Sequence, residues 1–118
     1  MNSIKLSPSS APPLAGGPAA TASLEEAYKA ALRQEIAQHR HYPRLARRLG
    51  QEGRVEVGFE VLADGRLSNV RVVHGSGFER LDEAAVETVE RLGRFRPLPP
   101  ELDRARWPLV VPLDFTLL

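Results

Sequence analysis

The spacing of apolar residues changes along this chain, and each change predicts a different secondary-structure element. After residue 23 apolar residues recur every three or four positions, and from residue 54 they alternate with polar ones. The longer period returns after residue 77, and the alternation returns after residue 106. A period near 3.6 is typical of helices and a period of two is typical of strands. The pattern therefore predicts the order helix, strand, strand, helix, strand.

Two stretches between residues 23 and 50 have helical spacing. The first begins at Ser23, which opens a capping box, and should end by Tyr42 because Pro43 disfavours helical geometry in the residue before it. Its apolar stripe comprises Leu24, Tyr28, Leu32 and Ile36. A short second helix is predicted from Arg44 to Leu49, with Gly50 as its stop.

The alternating segment from Arg54 to His74 predicts a hairpin. Its first strand has apolar residues at odd positions through Val61, and Asp64-Gly65 is a turn of the hairpin type. In the return strand the apolar parity slips by one position. A bulge near Ser68-Asn69 would restore it.

The remaining elements complete a small domain. A second main helix follows Gly77, and its apolar stripe comprises Leu81, Ala85, Val89 and Leu92. The last alternating run, residues 107 to 117, contains Pro108 and Pro112, and proline within a sheet is typical of an edge strand. We predict an α+β fold with a three-stranded antiparallel sheet and two main helices packed on one face.

Composition divides the chain into a linker and this domain. Residues 1 to 22 are rich in Pro, Ala, Ser and Gly, a mixture that favours extended chain over a packed core. We interpret 1–22 as a linker and 23–118 as the folded domain. An artificial leader is an equally good explanation for Met1 to Ser10.

Charge and cysteine content exclude several classes of function. The chain has 118 residues, 16 basic and 15 acidic, which argues against a general nucleic-acid-binding surface. Zero Cys rules out disulfides, thiolate metal sites and a cysteine nucleophile. The apolar runs fall short of the roughly 20 residues that span a bilayer, so we expect the chain as given to be soluble.

The candidates for catalysis and metal binding are weak. His39 and His41 form an H-x-H pair at a predicted helix end, with no third ligand in evidence. His74, Ser76 and Asp82 have the residue types of a hydrolase triad but lack the G-x-S-x-G elbow, and Ser76 is explained more simply as a helix cap. We therefore predict no catalytic residues, no metal and no cofactor.

A basic cluster is a better candidate for recognition. It comprises Arg40, Arg44, Arg47, Arg48 and Arg54, with His41 and Tyr42 among them. One aromatic residue provides no repeating platform on which nucleic-acid bases could stack. An acidic protein partner fits the cluster better than single-stranded nucleic acid does, although an ordinary solvated surface is the simplest alternative.

The prolines of the last strand predict which of its backbone groups are free. Pro108 and Pro112 are both even-numbered, and alternate residues of a strand point their N–H and C=O groups to the same side. The side without donors should face outward. Free backbone groups for a visiting strand are then predicted at Val110, Asp114, Thr116 and Leu118.

Several of these segments together resemble the C-terminal domain of the TonB energy-transducer family, over about residues 24 to 118. Any one segment would be weak, but seven occur in the family's order. They are Tyr42-Pro43, the strand Gly53 to Val61, Asp64-Gly65-Arg66, Ser76-Gly77, Leu81-Asp82-x-Ala84-Ala85, Arg94-Phe95-x-Pro97 and Val111-Pro112-Leu113-x-Phe115-x-Leu117.

The resemblance implies a non-catalytic periplasmic module that transmits force. Members of the family bind the TonB box of outer-membrane transporters as an added strand, contact the transporter plug, and drive uptake of iron chelates, haem or cobalamin. A helix absent from this chain would anchor the full-length protein in the inner membrane and join it to a proton-channel complex. Tyr42 and Pro43, flanked by Arg44, Arg47 and Arg48, are then expected to contact the partner.

Other interpretations stay open at this stage. A domain similar to that of TolA would share the fold and the periplasm but bind envelope-maintenance partners. A small hydrolase would use the triad-like residues around Ser76. Two copies of the domain could also pair through their strand edges as a homodimer.

Overall fold

A computed structural model describes residues 18–117 of the chain. It contains three helices, three strands and a 3₁₀ turn. In chain order these are α1 (Pro18–Gln38), α2 (Arg44–Arg48), β1 (Gly53–Leu62), β2 (Leu67–His74), α3 (Glu79–Leu92), the turn Pro100–Leu102 and β3 (Arg106–Phe115). The predicted α+β class is confirmed. The predicted linker at residues 1–17 lies outside the described residues.

The first helix begins earlier than predicted. It starts at Pro18, so Ser23 lies within the helix and the capping box is wrong. The reason is that the fixed φ of proline suits the first helical position, and the alanine-rich stretch that follows has high helix propensity. Five residues of the predicted linker are therefore helical, whereas the predicted helix from Arg44 is confirmed and ends at Arg48.

The three strands form one antiparallel sheet in the order β2-β1-β3. Pairing between β1 and β3 is regular over ten residues, from Gly53 opposite Phe115 to Leu62 opposite Arg106. Because β3 pairs only with β1 among residues 18–117, the prediction of an edge strand is confirmed. The strand is shorter than predicted, since it ends at Phe115 and not at Leu117.

Strand β2 is less regular than β3. Its pairing with β1 shifts twice, once beside Asn69 and once beside Val73. Asn69 has a φ of 55°, a left-handed conformation that Asn tolerates better than most residues. The predicted bulge near Ser68-Asn69 is confirmed, and a second bulge that the sequence analysis missed lies near the end of the strand.

The core lies between one face of the sheet and helices α1 and α3. The odd-numbered residues of β1 and β3 point into it. The helices contribute the predicted stripes, and the fully buried members include Leu32, Ile36, Leu81 and Val89. Tyr28 is also buried, and its hydroxyl donates to the Arg96 carbonyl over 2.6 Å. Within residues 18–117, none of the helices has the length and apolar character needed to cross a membrane.

Candidate partner-binding edge

The outer side of β3 carries the backbone groups that β1 does not use. Just before β3, the Ala63 amide donates to the Ala105 carbonyl over 3.0 Å, so at this end odd-numbered residues face β1. In an antiparallel pair the direction alternates with each residue, and the register shows no bulge. Even-numbered residues therefore face outward. We define the β3 outer edge as the outward backbone groups of Arg106, Pro108, Val110, Pro112 and Asp114.

The side chains of these residues are exposed as well. Burial in β3 alternates strictly, with every even-numbered residue exposed and every odd-numbered residue buried. Val110, at the centre, is 52% exposed although it is apolar. An added strand would therefore meet free backbone groups and an exposed apolar side chain at the same position.

The segment between α1 and α2 packs against the end of β3. The Tyr42 ring contacts the Phe115 ring edge to face at 5.3 Å between centroids, and its hydroxyl donates to the Gln51 carbonyl. Removal from water raises the pKa of the Tyr42 phenol. The His41 amide also reaches Thr88 Oγ1 on α3 over 3.4 Å. Sequence positions 42 and 115 thus meet, and the Tyr-Pro segment borders the C-terminal end of the β3 outer edge.

Two arginines hold Asp114 from different sides. The Arg54 guanidinium donates to both carboxylate oxygens, over 2.7 and 3.3 Å, and this contact raises the pKa of Arg54. Arg40 Nη1 donates to the Asp114 backbone carbonyl over 2.6 Å. The predicted free carbonyl at Asp114 is therefore occupied, because a guanidinium from the loop after α1 reaches it.

Helix α2 presents the remaining arginines to solvent. Arg44, Arg47 and Arg48 are exposed, and no ion pair involves them within the described part of the chain. Arg47 lies 5.7 Å from the Tyr42 ring centroid. An open hollow of about 500 Å³ is lined by Arg40, His41, Tyr42, Arg44 and Arg47. The basic cluster and the end of β3 therefore form one continuous surface.

The helix also has apolar exposure that its spacing did not predict. Ala46 is fully buried, whereas Leu45 and Leu49 are 43% and 58% exposed. Pro43 precedes the helix as its N-cap residue. Ala46 is thus the buried residue of the short helix, whereas Leu45, Leu49 and the arginines keep exposed surface.

Two other predicted positions lie beyond the strand. Thr116 follows its last residue, so it adds no ladder position to β3. Leu118 lies outside the described residues. Arg40 belongs to the predicted basic cluster, and its place at the edge could not be predicted because nothing local relates it to a residue 74 positions away.

Of the three triad-like residues, His74, Ser76 and Asp82, the last two close the turn before α3. Ser76 Oγ and its amide both contact Asp82 Oδ1 over 2.8 Å, and Ser76 Oγ also accepts from the Phe78 amide over 3.1 Å. Across residues 18–117, His74 makes no hydrogen bond to either of the other two. The N-cap of α3 is Phe78, without a side-chain cap bond, so the prediction that Ser76 is the cap is wrong. It is two residues too early to occupy that position.

The histidine pair is not part of a metal cluster. His39 Nδ1 lies 2.9 Å from the Glu35 carbonyl oxygen and 3.6 Å from its carboxylate. No group of three or more His, Asp or Glu residues that could hold a metal ion occurs among residues 18–117.

Comparisons with known proteins agree with this architecture. Residues 38–117 match the family model described as the Gram-negative bacterial TonB protein C-terminal. Protein TonB of Haemophilus influenzae is 44% identical over 63 residues, which are 53% of this chain and 23% of that protein. Protein TonB of Pasteurella multocida is 41% identical over 73 residues, 62% of this chain and 28% of that protein. The chain thus aligns with about a quarter of the length of these relatives.

Solved structures show the same fold. The solution structure of the Helicobacter pylori TonB C-terminal domain (residues 179–285 of that protein) has a TM-score of 0.63 at 28% identity, covering 80% of this chain and 82% of that one. The Pseudomonas aeruginosa TonB C-terminal domain has a TM-score of 0.51 at 28% identity, covering 65% and 77%.

Proposed function

The chain belongs to the family of Gram-negative bacterial TonB C-terminal domains, and from this premise we propose that its β3 outer edge receives the TonB box of an outer-membrane transporter as an added strand. The observation that carries the proposal is the regular outer edge of a ten-residue strand, which no other strand pairs with in residues 18–117. Backbone groups supply the affinity in this mode of recognition, and side chains supply the specificity.

The other edge of the sheet is less suited to receiving a strand. Strand β2 has bulges beside Asn69 and Val73, and its first residues are bridged by the segment that follows α3. There the Leu67 amide donates to the Gly93 carbonyl over 2.9 Å. Bulges and covering segments are devices that discourage edge pairing. The two edges therefore differ, and β3 is the one whose register has no bulge.

The energetics of this edge predict modest affinity. An antiparallel partner can both donate and accept at Val110, whereas opposite Pro108 and Pro112 it can only donate. Two bonds at Val110 and one at each proline contribute about 2 to 6 kcal/mol net in total. A micromolar complex requires about 8 kcal/mol. Contacts with side chains must supply the rest, and the exposed Val110 is placed to make one.

The basic cluster supports a partner that carries acidic residues. Arg44, Arg47 and Arg48 have exposed guanidinium groups beside the Tyr42-Pro43 segment, next to the end of the edge. Charges that remain exposed mainly accelerate encounter and set its dependence on salt. In this proposal the TonB box lies along β3, and an acidic stretch of the same transporter or its plug approaches α2.

The remainder of the activity is inferred from the family. We propose that the protein acts without catalysis in the periplasm, joined to the inner membrane and to a proton-channel complex by segments outside the aligned region. Pulling on the bound TonB box would then open a transporter for iron chelates, haem or cobalamin. The extended β3 pairing with β1 is the element through which such a pull would pass into the domain.

A cross-linking experiment tests the proposed site. The chain has no Cys, so Val110→Cys introduces a unique thiol on the β3 outer edge. The matched control is Val73→Cys, because Val73 is 51% exposed but lies on β2. A transporter N-terminal peptide with a cysteine at each position in turn should form a disulfide with the first variant and not with the second. Equal cross-linking of both variants, or of the control alone, contradicts the proposal. The same experiment with a peptide from a TolA-type partner tests the TolA-like alternative. Cross-linking with that peptide and not with the transporter peptide would favour it.

A further inference from the structure

Arg40 occupies a hydrogen-bond acceptor that an added strand would need. Its guanidinium donates to the Asp114 carbonyl over 2.6 Å and lies 5.9 Å from the Phe115 ring centroid. The side chain is exposed, and it comes from the short loop between α1 and α2. A partner N–H that approaches the C-terminal end of the β3 outer edge would compete with this arginine for the same oxygen.

The charge of Arg40 is not neutralised at this position. Two of the three nitrogens of the Arg54 side chain already hold the Asp114 carboxylate, and no acidic side chain forms an ion pair with Arg40 in the described range 18–117. Hydrogen bonds from an arginine to an oxygen are stronger when that oxygen carries charge. A carboxylate would therefore be a better partner for Arg40 than the neutral carbonyl it now contacts.

We propose that Arg40 is a displaceable cap on the β3 outer edge, which selects incoming strands that bring a carboxylate to the Asp114 end. This inference rests on the proposed strand addition. A strand with a carboxylate draws the guanidinium away from the Asp114 carbonyl and exposes that acceptor to its own N–H. A neutral strand must break the contact without replacing it, so the cap disfavours neutral strands. An isolated positive charge on an edge also discourages pairing with a second copy of the domain.

The test compares two peptides and four proteins. One peptide is a transporter N-terminal segment with its acidic residues, and the other has each Asp and Glu replaced by Asn and Gln. The proteins are the unchanged domain, Arg40→Ala, Arg40→Lys and the control Arg33→Ala, which removes an equal charge from an exposed position on α1. Dissociation constants are measured at about 1 M salt, where a Debye length of about 3 Å suppresses long-range steering.

The inference makes a directional prediction for the neutral peptide. The unchanged domain should prefer the acidic peptide by roughly three- to tenfold, and Arg40→Ala should bind the neutral peptide more tightly than the unchanged domain does, so that the preference falls below about twofold. Arg40→Lys and Arg33→Ala should keep the preference. A melting temperature within a few degrees of the unchanged domain confirms that each variant is folded.

The contrary outcomes separate the two proposals. If Arg40→Ala weakens the binding of both peptides by the same factor, or leaves the preference for the acidic peptide unchanged, the arginine is not a selective cap. This inference is then wrong. If the unchanged domain binds neither peptide, strand addition itself is wrong and both proposals are overturned.

Discussion

The Ala63 amide donates to the Ala105 carbonyl over 3.0 Å, and this bond shows which backbone groups of β3 face β1. Since pairing continues without a bulge to Phe115, each odd-numbered residue of β3 faces β1 and each even-numbered residue faces outward. Pro108 and Pro112 fit this alternation, because a proline cannot donate to β1. The missing donors of both prolines therefore fall on the β3 outer edge.

Adjacent proline substitutions should have opposite effects on folding and binding. Val110→Pro removes an outward donor, so the domain should keep its melting temperature within a few degrees and lose about two- to tenfold in affinity for a transporter N-terminal peptide. Val111→Pro removes a bond to Val57 inside the sheet and should destabilise the domain by about 3 kcal/mol or more. Circular dichroism and peptide titration measure the two effects. Equal destabilisation of both variants contradicts the assigned alternation.

Neutralising α2 should change the kinetics of association more than the fold. Replacing Arg44, Arg47 and Arg48 together with Gln removes exposed charges that have no ion-pair partner within the described part of the chain. We expect a slower association rate at low salt, a weaker dependence on ionic strength and a melting temperature within a few degrees. Stopped-flow binding at several salt concentrations tests this expectation. Association rates that are identical for the unchanged domain and the triple variant at every salt concentration would refute the steering role.

The alternation of the sheet could be predicted from sequence because burial and hydrogen bonding both have a period of two. The apolar odd positions of β1 and β3 are the buried ones, and two prolines were enough to orient the outer edge. The bulge at Asn69 was visible as a slip in parity. The bulge at Val73 was not, since Val72 and Val73 are both apolar and hide the shift.

The features that could not be predicted from sequence depend on contacts between distant residues or on competing local preferences. The composition around Pro18 predicts a linker, although proline also suits the first turn of a helix, and the helix begins there. The Arg40 contact with the Asp114 carbonyl joins residues 74 positions apart, and an exposed arginine has no pattern that identifies its acceptor. Contacts of side chains that reach across the fold therefore follow from the structure and not from local sequence.

Alkaline pH should destabilise the domain through Tyr28. Burial raises the pKa of this phenol to about 12, from an ordinary value of 10.0. A raised pKa in the folded state means that the stabilisation is complete below pH 10 and is lost as the pH rises toward 12, at most about 2 kcal/mol. Urea unfolding between pH 9 and about 11.5 measures this loss. Tyr28→Phe should be less stable by about 1 kcal/mol at pH 9, through loss of the bond to the Arg96 carbonyl, and should lack this part of the pH dependence.

The hairpin turn should be intolerant of a side chain at Gly65. Its φ of 94° is unfavourable for other residues, and a Cβ there would lie against the backbone carbonyls of Phe95 and Arg96. Gly65→Ala should cost about 3 kcal/mol or more, since rigid backbone must move. Gly50→Ala is the control: its φ is 69°, but no atom of the described residues lies within 4 Å of the added Cβ, so about 1 kcal/mol is expected. Denaturant unfolding that gives equal losses for both would show that contact with the 95–96 backbone is unimportant.

Amide hydrogen exchange at Val110 tests the central claim most directly. In the free domain this N–H faces outward and should exchange quickly, whereas the neighbouring Val111 N–H faces β1 and should be protected. Saturation with a transporter N-terminal peptide should slow exchange at Val110 by at least tenfold. A peptide that binds while the Val110 amide still exchanges at its free rate would contradict strand addition at the β3 outer edge.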